Sequence, residues 1–138
     1  MTTFLLVPGA GGDSWYWHRV APELRDRGHD VVTPDLPAAD DAAGLREYAG
    51  AVLEAIGGCE RVVLVAQSMA AFSAAMACGR AHVALLVLVA PMIPRLAADR
   101  LGVGVDVIDS GHLPALSRPR ELARRLEGYA SELGGSPA

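Results

Sequence analysis

Short runs that are apolar at every position, each followed by a helical stretch, constrain this chain more than any other feature. Arg61-Val62-Val63-Leu64-Val65-Ala66 and the run from Val83 to Val89 show no polar alternation. A strand apolar on both faces must be covered on both faces, which requires a parallel sheet between two helical layers. Phe4 to Val7 and the β-branched Asp30-Val31-Val32-Thr33 read as two further strands, and Val103 to Ile108 as a fifth. Between them the spacing predicts helices over Trp15 to Arg27, Leu45 to Ile56 and Ser68 to Cys78. A short helix is expected at Pro94 to Arg100, and a last helix at Pro119 to Tyr129. Glycines at 28, 57, 58 and 79 follow three of these stretches and act as stops. With right-handed crossovers, the expected fold is α/β: a doubly wound, mainly parallel, five-stranded sheet. The Val103–Ile108 strand is expected beside Val83–Val89. With 138 residues and no repeat or linker, residues 1–138 read as one domain.

Charge and composition narrow the partners. The net charge of −4 comes without a basic block, which excludes nucleic acid or an anionic membrane surface as the main partner. No apolar run approaches the roughly 20 residues of a membrane helix. The first residues lack a positively charged leader, so a cytoplasmic protein is expected. Cys59 and Cys78 have neither Cys-x-x-Cys nor metal-site spacing; they read as free thiols, and no metal or cofactor is expected.

Ligand sites of doubly wound sheets lie at the carboxyl ends of the strands, and three motifs fall there. In Ala66-Gln67-Ser68-Met69-Ala70, a serine sits between a strand and a helix. That is the setting of a nucleophile elbow, a strained turn that admits only small residues two before and two after the serine. Both are alanine here. Serine is also a favoured helix N-cap, so a plain cap fits the same position. Pro8-Gly9-Ala10-Gly11-Gly12 follows the first strand. Its spacing matches no phosphate-binding pattern. It suits an oxyanion loop, in which the Ala10 N–H and the Met69 N–H would converge on a developing oxyanion. Close packing alone would also use such glycines. His112 lies in the loop after the last apolar stretch, where a general base follows its serine in chain order. His18, His29 and His82 lack such a setting and read as surface residues.

Together, Phe4-Leu5-Leu6-Val7-Pro8-Gly9-Ala10-Gly11-Gly12-Asp13-Ser14-Trp15-Tyr16-Trp17, Val65-Ala66-Gln67-Ser68-Met69-Ala70 and Gly111-His112-Leu113-Pro114-Ala115-Leu116-Ser117-Arg118-Pro119 resemble α/β-hydrolase fold serine esterases. The nearest branch is that of plant methyl-esterases and hydroxynitrile lyases, with its bacterial relatives. The resemblance covers nearly the whole chain in the family's order. It implies hydrolysis of small carboxylic esters through an acyl-enzyme on Ser68, with His112 as general base. Pro8 stands where many members have histidine. Family members often run well beyond ~200 residues; here only Pro91 to Gly102 separates the Val89 strand from the next, so the cap and the acid-bearing strand are missing. Asp109 and Asp106, ahead of Asp99, are then the candidate acids. An exposed edge left by the missing strand implies a homodimer. The alternatives are a catalytically impaired relic that binds a small ligand or a protein, and a flavodoxin-like binder.

Overall fold

A computed structural model describes residues 2–92, 102 and 104–134. Four strands form one sheet in the order β2-β1-β3-β4. They are β1 (Thr3–Val7), β2 (Asp30–Val32), β3 (Val62–Gln67) and β4 (Leu85–Val89). Every pairing is parallel, with Leu5 opposite Val32 and Leu64, and Val65 opposite Val87. The helices are α1 (Val20–Arg25), α2 (Leu45–Ile56), α3 (Ala70–Cys78), α4 (Pro114–Ser117) and α5 (Pro119–Glu132).

The pleat sends alternate residues to opposite faces. Phe4, Leu6, Val63 and Val65 pack with Val20 and Leu24 of α1 and with Leu122 and Leu126 of α5. Leu5, Val7, Leu64 and Ala66 pack with Val52 and Ile56 of α2 and Ala74 of α3. Two cores on two faces are what the unbroken apolar strands required. β3 is the most enclosed strand, buried at all its positions.

Three differences from the sequence reading have local causes. The stretch expected as one helix from Trp15 to Arg27 is a 3-10 turn, Ser14–Trp17, followed by α1. Asp13 caps the turn, accepting from the Trp15 N–H at 2.8 Å. Pro22 has no N–H and would clash with a helical carbonyl four residues back, so it is accommodated only in a helix's first turn. Second, the fifth strand is not formed: residues 104–108 carry no strand pairing, and the described sheet has four strands. Ile108 packs on the core, whereas Val105 and Val107 are exposed, and Asp106 is drawn to α5 instead. Third, the last helix runs three residues past Tyr129, to Glu132. The expected helix at 94–100 lies outside the described residues.

α5 is clamped to α1 by Arg120–Glu23 at 3.3 Å and to the turn after α1 by Arg27–Glu127 at 3.2 Å. It is tied to the start of β3 by Arg61 Nη2 donating to the Ala130 carbonyl at 3.2 Å. These contacts carry the C-terminal segment, and with it His112, across the sheet's end. Cys59 and Cys78 are free and half-buried, and burial pushes the Cys78 thiol above its ordinary pKa.

Candidate active site

β3 ends at Gln67 and α3 begins at Ala70, which leaves Ser68 and Met69 to make the turn. Ser68 holds a left-handed backbone with φ of 53°. A side chain tolerates that region at a cost of order 1–2 kcal/mol, so such positions accompany sites where the surrounding structure enforces the turn. Ala66 and Ala70 are both buried, leaving no room for larger neighbours. The Ser68 N–H donates to the Val89 carbonyl at the end of β4, 2.9 Å away. The N-cap of α3 is Met69, and the Ser68 hydroxyl makes no hydrogen bond to α3 among the described residues. Its Oγ lies 3.0 Å from His112 Nε2, 44 positions along the chain. The serine and histidine picked out in the sequence are thus brought together, and the plain-cap reading of Ser68 is set aside.

The loop after β1 lies directly against the elbow. A Cβ on Gly9 would stand 2.1 Å from Gln67 Oε1 and 3.1 Å from Ser68 Cβ, so any side chain there would displace the Gln67 carboxamide. Gly12, at φ of 61°, turns the chain back, donating to the Gly9 carbonyl at 3.1 Å and accepting from the Leu36 N–H at 2.9 Å. Asp35 Oδ1 accepts from the Ser14 N–H at 2.8 Å and stitches the loop to the segment that follows β2. That hydrogen bond also holds the Asp35 carboxyl below its ordinary pKa. Neither the Ala10 N–H nor the Met69 N–H has a protein acceptor among the described residues, so both donors are free for a ligand.

His112 itself is exposed, but its loop is anchored on both sides. Ile108 packs on the core before it, and Pro114 and Ala115 are buried after it. Arg118 Nε donates to the Asp109 carbonyl at 3.2 Å and closes the loop. Arg19 Nη1 donates to the Leu116 carbonyl at 3.0 Å and pins α4.

The candidate acids are not brought to the histidine. Asp106 is paired with Arg125 and accepts from the Tyr129 hydroxyl, both on α5. With the Arg125 guanidinium foremost, these partners lower its carboxyl to about 2. Along an extended segment side chains alternate, and the one at 106 points to the helix side. The Asp109 carboxylate makes no hydrogen bond among the described residues, and Asp99 lies outside them. No described residue accepts from His112 Nδ1.

Gln67 is the neighbour that the sequence reading passed over. It is 3% exposed, and its Nε2 lies 3.4 Å both from His112 Nε2 and from the His112 carbonyl oxygen. The signal was present: a lone amide at the end of an otherwise apolar, fully buried strand. Of the other histidines, His18 and His82 are exposed as expected. His29 is half-buried instead, edge-on to Phe4 at 5.1 Å between ring centres, because α1 and α5 close over it.

Two surface hollows of about 400 and 320 Å³ lie around Arg25, near β2 and the 3-10 turn, and neither touches Ser68 or His112. Ser68 is buried at 7% exposure, whereas the His112 beside it is exposed. Among the described residues no group of three metal-binding side chains occurs, and no helix is long and apolar enough to cross a membrane.

Comparison with known proteins bears on the family and the fold. Residues 4–104 match the profile of the Alpha/beta hydrolase family. The rice (Oryza sativa subsp. indica) protein "Probable esterase PIR7A" is 33% identical over 115 residues, covering 75% of this chain and 43% of the relative. "Methylesterase 7" of Arabidopsis thaliana is 33% identical over 104 residues, covering 66% of this chain and 40% of its own length. The chain spans less than half the length of these curated relatives. Among solved structures, a polyneuridine aldehyde esterase mutant superposes with a TM-score of 0.61 at 20% identity, over 99% of this chain and 73% of that one. An extracellular alpha/beta-hydrolase from a Paenibacillus species gives 0.63 at 20% identity, over 68% and 42%. With its serine turn at the end of a parallel strand and the family profile matching from β1 to residue 104, the chain belongs to the alpha/beta hydrolase family.

Proposed function

We propose that this chain is a serine hydrolase that cleaves small carboxylic esters. The observation that carries the reading is the left-handed Ser68, its Oγ 3.0 Å from His112 Nε2. Ser68 Oγ attacks the acyl carbon while His112 Nε2 takes its proton. The carbonyl oxygen becomes an oxyanion, held by the Ala10 and Met69 amides. His112 then returns the proton to the leaving alkoxide, and the acyl group stays on Ser68. Water, deprotonated by the same nitrogen, releases the acid and restores the serine. The short span between β4 and His112 leaves no length for a large cap, which suits short-chain or activated esters, whose reaction does not depend on an enclosing cap. Asp109 is the remaining local candidate for the acid.

Support for ester chemistry comes from the esterase relatives, and support for a reducing, cytoplasmic setting from the two free thiols. The reading includes a homodimer. The outer edge of β4 has no partner strand among the described residues, and Met69, just before the neighbouring α3, forms an exposed apolar stripe with Phe72 and Met76 of that helix. A second copy offers an identical edge and stripe across a two-fold axis.

The test is labelling with a fluorophosphonate probe, together with p-nitrophenyl acetate turnover. Wild type is expected to label once and turn over. Ser68→Ala should lose the label and at least about 10³-fold in rate. Absence of label on folded wild-type protein would leave the impaired relic, a binding module, as the better account.

A further inference from the structure

We propose that Gln67 is a positioning residue that fixes the tautomer of His112. The proposal rests on the reading of His112 as the base, and it explains how a histidine without a described acid partner holds the reactive form.

Neutral imidazole carries its proton on either Nδ1 or Nε2, and only the Nδ1–H form leaves Nε2 free to take a proton from serine. In a full triad, a carboxylate on Nδ1 makes that choice. Ser68 cannot make it, because a hydroxyl donates and accepts equally well. A carboxamide NH2 can only donate. Gln67 Nε2 lies 3.4 Å from His112 Nε2, on the same nitrogen that faces Ser68 Oγ. Donation there requires a bare Nε2 and so places the proton on Nδ1; the one lone pair is shared, and the Ser68 hydroxyl at 3.0 Å remains its closer donor.

The orientation of the carboxamide is itself determined. The same Gln67 nitrogen lies 3.4 Å from the His112 carbonyl oxygen, which can only accept. An oxygen at that position would face oxygen, so the NH2 end belongs there. On the other side Gln67 Oε1 occupies the space that a Gly9 side chain would need. The carboxamide is seated between the β1 loop and the histidine, on the enclosed strand β3, and is 3% exposed. Each 3.4 Å contact is long; the seat, more than either bond, holds the group. Unlike a carboxylate, the amide brings no negative charge to stabilise imidazolium. It supplies the tautomer and leaves the charge to the rest of the site.

Nitrogen-15 NMR of histidine-labelled full-length protein tests this directly, at a pH where imidazole is neutral and with the His112 signals assigned by His112→Ala. Wild type is expected to show His112 as the Nδ1–H tautomer. Gln67→Met keeps the length but removes the donor, and should shift His112 toward the Nε2–H form. Gln67→Glu reverses the hydrogen-bond polarity in the same shape. It should hold a proton on Nε2 and lower kcat by about 10²-fold with little change in KM. A wild-type Nε2–H tautomer, or an Nδ1–H form unchanged in folded Gln67→Met, would overturn the proposal. Should the buried carboxylate of Gln67→Glu prevent folding, Gln67→Met decides alone. The tautomer is read without turnover, so failure of the hydrolase reading, seen as absent probe labelling, remains distinguishable from failure of this one.

Discussion

Gly9 shows how closely chemistry here depends on single atoms. An alanine Cβ would stand 2.1 Å from Gln67 Oε1 and 3.1 Å from both the Gln67 carbonyl and Ser68 Cβ. The carboxamide would have to leave its seat. Gly9→Ala is expected to cut ester turnover by about 10-fold or more through misplacement of the reacting groups, while far-UV circular dichroism stays that of wild type. Unchanged turnover would show that the seat is dispensable. Ala90, at φ of 44°, ends β4 next to the carbonyl that receives the Ser68 N–H. Relief of left-handed strain outweighs the extra chain entropy of glycine, so Ala90→Gly should stabilise by up to about 1 kcal/mol in urea unfolding. Loss of stability in that variant would mean the alanine side chain packs usefully there. The acid is likewise open to test residue by residue. Asp106→Asn should leave ester turnover near wild type, because its carboxylate is committed to Arg125 and Tyr129. Asp109→Asn is the substitution expected to lower kcat if a local acid acts.

Among the elements, β4 and α3 carry the surface that remains uncovered. β4 is half-buried along most of its length, unlike β3, because one side has no neighbour among the described residues. Phe72 and Met76 are 45% and 38% exposed on α3, one turn apart. If two copies join along this edge, Phe72→Glu with Met76→Glu should convert a dimer to a monomer in sedimentation velocity without unfolding it. A wild-type monomer at tens of micromolar would refute the pairing. The same scale explains the lost strand. Residues 104–108 have a β-branched pattern that fits a strand, but Asp106 is tied to Arg125 and Tyr129 of α5. Strand propensity is context-dependent, and here a charged anchor to a helix prevailed over an edge pairing.

At the scale of the whole molecule, the C-terminal segment is docked by polar contacts as well as by its apolar stripe, so acid is expected to loosen it. The Asp106 carboxyl is lowered to about 2, first by the Arg125 guanidinium. A depressed carboxylate contributes stability above its unfolded value, near 3.9, and loses it as pH falls through the folded value. The contribution is therefore complete above about pH 4 and fades toward pH 2. Thermal melts should place Asp106→Asn below wild type at pH 7, with the gap closing near pH 2 and narrowing in high salt, since the pair is exposed. A gap that persists at pH 2 would assign the effect to something other than the ion pair.

The sequence by itself determined the layered architecture, because strands apolar on both faces have no stable arrangement except between helices. It also singled out Ser68 and His112 as candidates, since a small-residue elbow and a late loop histidine are local patterns. What only the tertiary structure decided are the contacts between distant segments: the 3.0 Å approach of Ser68 to His112, the diversion of Asp106 to α5, and the seating of Gln67 against Gly9. The physical reason is one of range. Periodicity and turn chemistry act over a few residues, whereas the partner of a side chain depends on how separate elements pack, and hydrogen-bond partners leave no mark in the local pattern.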